Sequence, residues 1–76
     1  MKSEVQSAVA SAVDLVNRNA GQTYVHLRFA DDPAEVDFVA NAASFAGGRF
    51  EFKAGFETYG GSVDELADVR AELIKH

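Results

Sequence analysis

The stretch from Asp32 to Leu66 constrains the fold most, because helix-start signals and glycine pairs alternate along it. Asp32–Glu35 has the residue types of a helix start, with a capping aspartate followed by proline. Gly47-Gly48 then interrupts the chain, and Ser62–Glu65 repeats the helix-start pattern. This order predicts a helix, a short hairpin and the start of another helix.

The chain before this stretch predicts one helix and one strand. From Ser3 to Asn19, small apolar residues recur at helical spacing, and Gly21 follows where a left-handed cap is favoured. From Thr23 to Phe29, apolar and polar residues alternate, which is typical of a half-buried strand.

Two more helices and a hairpin are predicted after this strand. The apolar spacing favours a helix from Pro33 to Ala46 and a last helix from Ser62 to about Lys75. Between them, Arg49 to Tyr59 reads as a hairpin. We prefer a three-residue loop, which pairs Phe52 with Phe56, over a two-residue loop, which would pair Phe52 with Glu57.

Together these elements predict a single α+β domain over residues 1–76. The expected architecture is an open-faced sandwich, with a small antiparallel sheet covered on one face by three helices, in the order α-β-α-β-β-α.

Composition excludes several classes of function. The chain has no cysteine and a formal net charge of −5, so neither disulfide chemistry nor a basic nucleic-acid footprint is present. No signal-peptide or membrane-spanning run of apolar residues is found, and we therefore expect a cytoplasmic protein that binds neither nucleic acid nor membrane.

No catalytic or cofactor motif stands out, and no metal site is expected. Asp31-Asp32 is best interpreted as loop and helix cap. His26, on the polar side of the predicted strand, and Ser62, at a helix start, are candidate phosphoacceptors. A second set of polar and aromatic residues is expected on the wet sheet face and could bind a partner: Tyr24, His26, Arg28, Arg49 and Tyr59.

The central part of the chain resembles the histidine phosphocarrier protein (HPr) of the bacterial sugar phosphotransferase system. The resemblance covers roughly residues 23 to 69, and its motifs are mostly apolar and structural. They are Pro33-Ala34, Phe38-Val39, Ala42, Phe45, the hairpin Arg49 to Tyr59, and Ser62-Val63 with Leu66.

The resemblance implies an HPr-like fold without the phosphocarrier chemistry. The family's acceptor histidine and its phosphate-binding arginine correspond here to Ala30 and Asp32, which supply neither a nucleophile nor a positive charge. The family's final strand and helix have no counterpart, and the chain begins with a helix instead.

Three functions follow as hypotheses. We favour a non-enzymatic domain that binds another protein or a second copy of itself through its exposed sheet face or a helix surface. The first alternative is a phosphoryl acceptor or regulatory protein modified on His26 or Ser62. The second is a small homo-oligomeric enzyme with a site between subunits.

Overall fold

The structure is a computed structural model that describes residues 2–31 and 34–74. Over these residues the chain forms one α-helix and six strands. The elements are α1 (Lys2–Arg18), β1 (Thr23–Phe29), β2 (Glu35–Ala40), β3 (Ala42–Ala46), β4 (Arg49–Ala54), β5 (Glu57–Ser62), a 3₁₀ turn (Val63–Glu65) and β6 (Leu66–Leu73). The strands form two antiparallel sheets, ordered β2-β1-β6 and β3-β4-β5.

The first two predicted elements are confirmed. The apolar stripe of α1 buries Val9, Ala12 and Val16 against the sheets, as its helical spacing indicates. β1 has the predicted bounds, and Val25 and Leu27 on its apolar side are fully buried. The strict alternation of β1 therefore places its polar side chains on the opposite face of the sheet.

The predicted helix from Pro33 to Ala46 is wrong, because this part of the chain forms β2 and β3 instead. Val36, Phe38 and Ala40 also alternate, and their side chains are the more buried set in β2. Pairing with β1 satisfies the backbone groups of β2 that face β1, and it overrides the local helix signals. The proposed helix start at Asp32 and Pro33 lies outside the described residues.

Gly47-Gly48 forms a hairpin turn rather than the end of a helix. Ala46 pairs with Arg49 across it, so the loop between β3 and β4 contains only the two glycines. Both have positive φ, +60° and +74°. Two consecutive residues with positive φ are what a type I′ hairpin turn requires, and its twist matches that of the flanking strands.

The three-residue loop predicted for the next hairpin is also wrong. Ala54 pairs with Glu57, which leaves the two-residue loop Gly55-Phe56. Phe52 therefore lies opposite Tyr59, and Phe56 is fully exposed. Gly55, with φ +62°, takes the first loop position, where a two-residue turn of type II′ favours glycine.

The predicted last helix is wrong as well, although its capping box is present. Ser62 Oγ accepts a hydrogen bond from Asp64 N–H (3.2 Å), and the Glu65 carboxylate accepts one from Ser62 N–H (3.1 Å). This box begins only the 3₁₀ turn, after which Leu66–Leu73 pairs with β1. A capping box satisfies the first turn of any helix, so it does not fix the helix length. Lys75 lies outside the described residues.

The open-faced sandwich with three helices, and the HPr-like architecture that the resemblance implied, are therefore incorrect. The described chain is mostly strand, and it passes from one sheet to the other at Asn41 and returns through the 3₁₀ turn. Aromatic rings join the sheets: Phe38 stacks on Tyr59, with centroids 4.4 Å apart, and lies 5.9 Å from Phe52. The core thus lies between the two sheets and beneath α1.

The helix lies against β6 and β3, so it touches one edge strand of each sheet. Asn17 fixes it to β3, since its side-chain amide donates to the Ala43 carbonyl (2.9 Å) and accepts from the Ala43 N–H (3.1 Å). Among the described residues, the single helix α1 lacks the length and apolar character of a membrane span.

Candidate functional site: the outer face of β2-β1-β6 and the cleft beside α1

The outer face of the β2-β1-β6 sheet carries most of the site, and β1 runs through its centre. Each polar residue of β1 lies between one residue of β2 and one of β6. The three rows are Tyr24 with Val39 and Glu72, His26 with Asp37 and Arg70, and Arg28 with Glu35 and Asp68. Because antiparallel neighbours on one face interact directly, these charges form one surface.

His26 connects β1 to β2 through two carboxylates. Its Nδ1 hydrogen-bonds to Oδ1 of Asp37, and its Nε2 lies 2.7 Å from Oε1 of Glu35. Only the protonated imidazole has an N–H on both nitrogens. The hydrogen bond to Asp37 is the main cause that raises the pKa of His26, with Glu35 adding to it against the effect of desolvation. The geometry and the charges therefore both favour the imidazolium.

Tyr24 lies beside this pair and is about one-third exposed. Desolvation raises the pKa of its phenol first, and the charge of Asp37 and a hydrogen bond to it raise the pKa further. The phenol therefore remains neutral, and it offers an aromatic face and a hydroxyl to a binding partner.

Arg70 lies on the other side of His26, on β6. Its guanidinium Nε is 3.8 Å from Oδ2 of Asp68, and its side chain is 72% exposed. An ion pair of this length at the surface contributes little free energy. Arg70 is thus available to bind a carboxylate from outside the chain.

An open cleft of about 760 Å³ lies next to this face and runs between α1 and β6. The helix side of the cleft is built mainly from small residues: Ala8, Ser11, Ala12 and Leu15. Val69 to Glu72 form the strand side, and Tyr24, His26 and Asp37 extend the lining onto the outer face. The cleft therefore combines an apolar helix side with a charged rim.

One edge of β6 faces away from the sheet. Within the described residues, β6 pairs with β1 only. Along a strand, the N–H and C=O groups of successive residues point to opposite edges. Ile74 N–H donates to Gln22 C=O (2.9 Å), so in β6 the backbone groups of even-numbered residues point to β1. Those of Val69, Ala71 and Leu73 point to the open edge. Consistently, the Val69 N–H donates to Oδ1 of its neighbour Asp68 (2.9 Å) instead of to a strand.

The structure brings together three of the five residues predicted to bind a partner. Tyr24, His26 and Arg28 share the outer face of β1. Arg49 lies in the other sheet, where it lines a separate cavity of about 370 Å³. Tyr59 is half-buried and stacks on Phe38, so it belongs to the core rather than to the surface of Tyr24.

The two candidate phosphoacceptors occupy different environments. Both ring nitrogens of His26 are engaged by carboxylates, whose negative charge opposes a phosphoryl group. The Ser62 hydroxyl is half-buried and accepts a hydrogen bond in the capping box.

Sequence reasoning missed Glu35, Asp37, Arg70 and Glu72, because it assigned all four to helices. Their charges alternate with apolar residues, in Glu35-Val36-Asp37-Phe38 and in Val69-Arg70-Ala71-Glu72. That period of two was the signal that could have placed them on strands.

The described residues contain no group of three or more metal-ligating side chains placed to hold an ion. His26 illustrates the reason, since its two nitrogens point to different carboxylates. Comparison of the chain with models of protein families, with curated proteins and with solved structures finds no match.

Proposed function

We propose that this chain is a non-enzymatic protein-interaction domain, which binds an extended polypeptide segment along the open edge of β6. The observation that carries the proposal is the position of β6: an edge strand of eight residues borders a cleft of about 760 Å³. A groove between an edge strand and a helix is suited to strand addition, in which main-chain hydrogen bonds supply affinity.

The backbone of β6 supports this mode of binding. Ala71 and Leu73 direct their N–H and C=O groups to the open edge, and the described chain adds no strand there. An unpaired edge is a template for another strand, and proteins that do not use such an edge usually cover or shorten it. β6 is instead the longest strand that the structure describes.

The side chains around the cleft support it too. A segment added beside β6 would direct alternate residues to α1 and to the outer face. The first set meets Ala8, Ala12 and Leu15, and the second meets Tyr24 and Arg70, which are residue types favoured in binding sites. The contacts of His26 weigh against the phosphoacceptor alternative, since each of its ring nitrogens already hydrogen-bonds to a carboxylate.

The proposal can be tested with peptides selected from a random display library against the full chain. Selected peptides are added to isotope-labelled protein, and amide chemical shifts are recorded by NMR. We expect the largest shifts at Val69, Ala71 and Leu73. The variant Ala71→Pro should abolish binding, because proline removes the N–H that faces the open edge.

Ala71→Ser is the matched control, because it keeps this N–H, and it should bind as the wild type does. A melting curve verifies that the proline variant is still folded. Peptides that shift the amides of β3-β4-β5 instead, or that bind Ala71→Pro unchanged, would contradict strand addition at β6.

A further inference from the structure

Building on the proposed function, we infer that the segment which fits the cleft is β6 of a second copy of this chain, so that two copies pair antiparallel through β6 in a symmetric dimer centred on Ala71. The argument rests on the self-complementary order of Val69-Arg70-Ala71-Glu72-Leu73. A twofold interface uses the same surface of both subunits, so that surface must be complementary to itself in charge and shape, and this segment meets the requirement.

The backbone permits this register. With Ala71 opposite Ala71 of the second copy, the N–H and C=O groups that point to the open edge meet each other. Leu73 N–H then reaches Val69 C=O of the second copy. The reciprocal partner of Leu73 C=O is Val69 N–H of the second copy, which would exchange its bond to the Asp68 carboxylate for this one.

The outer-face side chains match in the same register. Arg70 lies opposite Glu72 of the second copy, and by symmetry Glu72 lies opposite Arg70. The Arg70 side chain is largely exposed, and among the described residues its ion pair is the long one to Asp68. Two opposite-charge pairs therefore form across the interface, and directly opposed charges of opposite sign stabilise strand pairing.

The side chains on the helix side match as well. Val69 lies opposite Leu73 of the second copy, beside the central pair of alanines. Leu73 is 45% exposed in the single chain, although it continues the apolar alternation of a strand whose Val69 is buried. Pairing covers this leucine, and the cleft between Val69–Glu72 and the small residues Ala8, Ser11 and Ala12 of α1 leaves room for the second strand.

A shift of the register by two residues fits less well. With Val69 at the centre, Val69 would lie opposite Val69 of the second copy. Arg70 would then lie opposite Asp68, while Glu72 and Leu73 would move out of the central pairs. The register centred on Ala71 instead brings Glu72 and Leu73 into the central pairs.

The test is a charge swap between two variants of the full chain, followed by sedimentation equilibrium over a range of concentrations. The wild type is expected to be a dimer. R70E and E72R each place like charges opposite each other in both pairs, so each should weaken dimerisation by about tenfold or more. An equimolar mixture should dimerise again, because R70E and E72R restore both opposite-charge pairs in the mixed dimer.

R49E is the matched control. It makes the same change of charge on an exposed arginine of the other sheet, and it should dimerise as the wild type does. A register centred on Val69 predicts instead that E72R dimerises as the wild type does, since Arg70 would then face Asp68 and Glu72 would lie outside the central pairs. A dimeric E72R, or lack of recovery in the mixture, would overturn the inference.

The two proposals fail in different ways. A wild-type chain that stays monomeric at all concentrations while selected peptides still shift the amides of β6 contradicts the dimer and leaves strand addition standing. A dimer that R70E and E72R do not weaken places the contact elsewhere and contradicts the inference. If the chain is monomeric and no selected peptide shifts the amides of β6, both the dimer and strand addition at β6 are contradicted.

Discussion

The two sheets have the same number of strands and the same antiparallel pairing, but they are built differently. In β3-β4-β5, consecutive strands are joined by two-residue loops that begin with a glycine, and Phe50 and Phe52 of the central strand are buried. In β2-β1-β6, the central strand pairs with a strand from the far end of the described chain, and charged residues line the outer face. The first sheet supplies Phe50 and Phe52 to the core, and the second combines a buried apolar inner face with a charged outer face.

This division explains where function can be placed without loss of stability. Substitutions on the outer face of β2-β1-β6 alter charges that solvent already reaches, whereas substitutions of Phe50 or Phe52 in β4 alter the core. The comparison therefore predicts that binding depends on the outer face of β2-β1-β6, whereas stability depends on the inner faces of both sheets.

The largest expected effect is that of Phe52→Ala. Phe52 is fully buried, and its ring lies 5.9 Å from those of Phe38 and Phe50. The cavity should cost about 3–5 kcal/mol, much of the total stability of a small domain. Urea unfolding measures this loss, and Phe56→Ala is the control, since the exposed Phe56 should cost less than about 0.5 kcal/mol. Equal losses would show that Phe56 also has a buried partner.

A smaller effect is expected from Gly47→Ala in the turn between β3 and β4. A Cβ at this position meets no atom within 4 Å, so only the positive φ opposes it. A non-glycine residue in this conformation costs about 1–2 kcal/mol, measured as a lower melting temperature. Gly47→Asn should cost less, because asparagine tolerates left-handed backbone. If both variants melt alike, steric strain at the turn is not the cause.

Ser62→Ala tests the junction between the sheets, where β5 enters the 3₁₀ turn. Loss of the cap should lower stability by about 1 kcal/mol in chemical denaturation, because Asp64 N–H loses its acceptor. Ser62→Asp should be tolerated, since an aspartate also caps. An alanine variant as stable as the wild type would show that the turn does not depend on its capping box.

The smallest effect concerns pH and sharpens the description of the charged sheet. The pKa of His26 is raised in the folded chain, so the stability it contributes is fully present below its unfolded pKa and is lost as pH rises through the folded pKa. We expect urea unfolding to show lower stability at pH 9 than at pH 6. His26→Gln should show a weaker dependence on pH over this range. An equally steep dependence in that variant would assign it to another group.

The parts of the fold that could be predicted are those in which one periodicity acts alone. α1 has only the helical spacing and β1 only the alternation, so both were correct. In β2 and β6 both periods fit the same residues, and the helix-start signals at Asp32 and Ser62 favoured the wrong one. The choice between them depends on pairing with β1, which is a property of the tertiary structure.

For the candidate site, likewise, only the residues on β1 could be placed from the sequence. The placement of Tyr24, His26 and Arg28 on one face followed from the alternation of β1. The positions of the carboxylates that bind His26, and of the open edge of β6, could not be predicted in this way. They lie on strands for which the sequence signals favoured helices. An assignment of β2 by its period of two would have placed Asp37 beside His26.

The order of strands along the chain also predicts an order of folding. The strands of β3-β4-β5 are consecutive in the sequence. In contrast, β1 pairs with β6, which comes after all three of those strands. Contacts between distant segments close large loops and form late, so the hairpins can act as a nucleus before the second sheet is complete. During synthesis on the ribosome, β1 must remain without one of its two neighbours until residues 66–73 have emerged. Until then the open strand is β1 itself, and a chaperone or a neighbouring nascent chain meets a different edge from the one that the mature protein exposes.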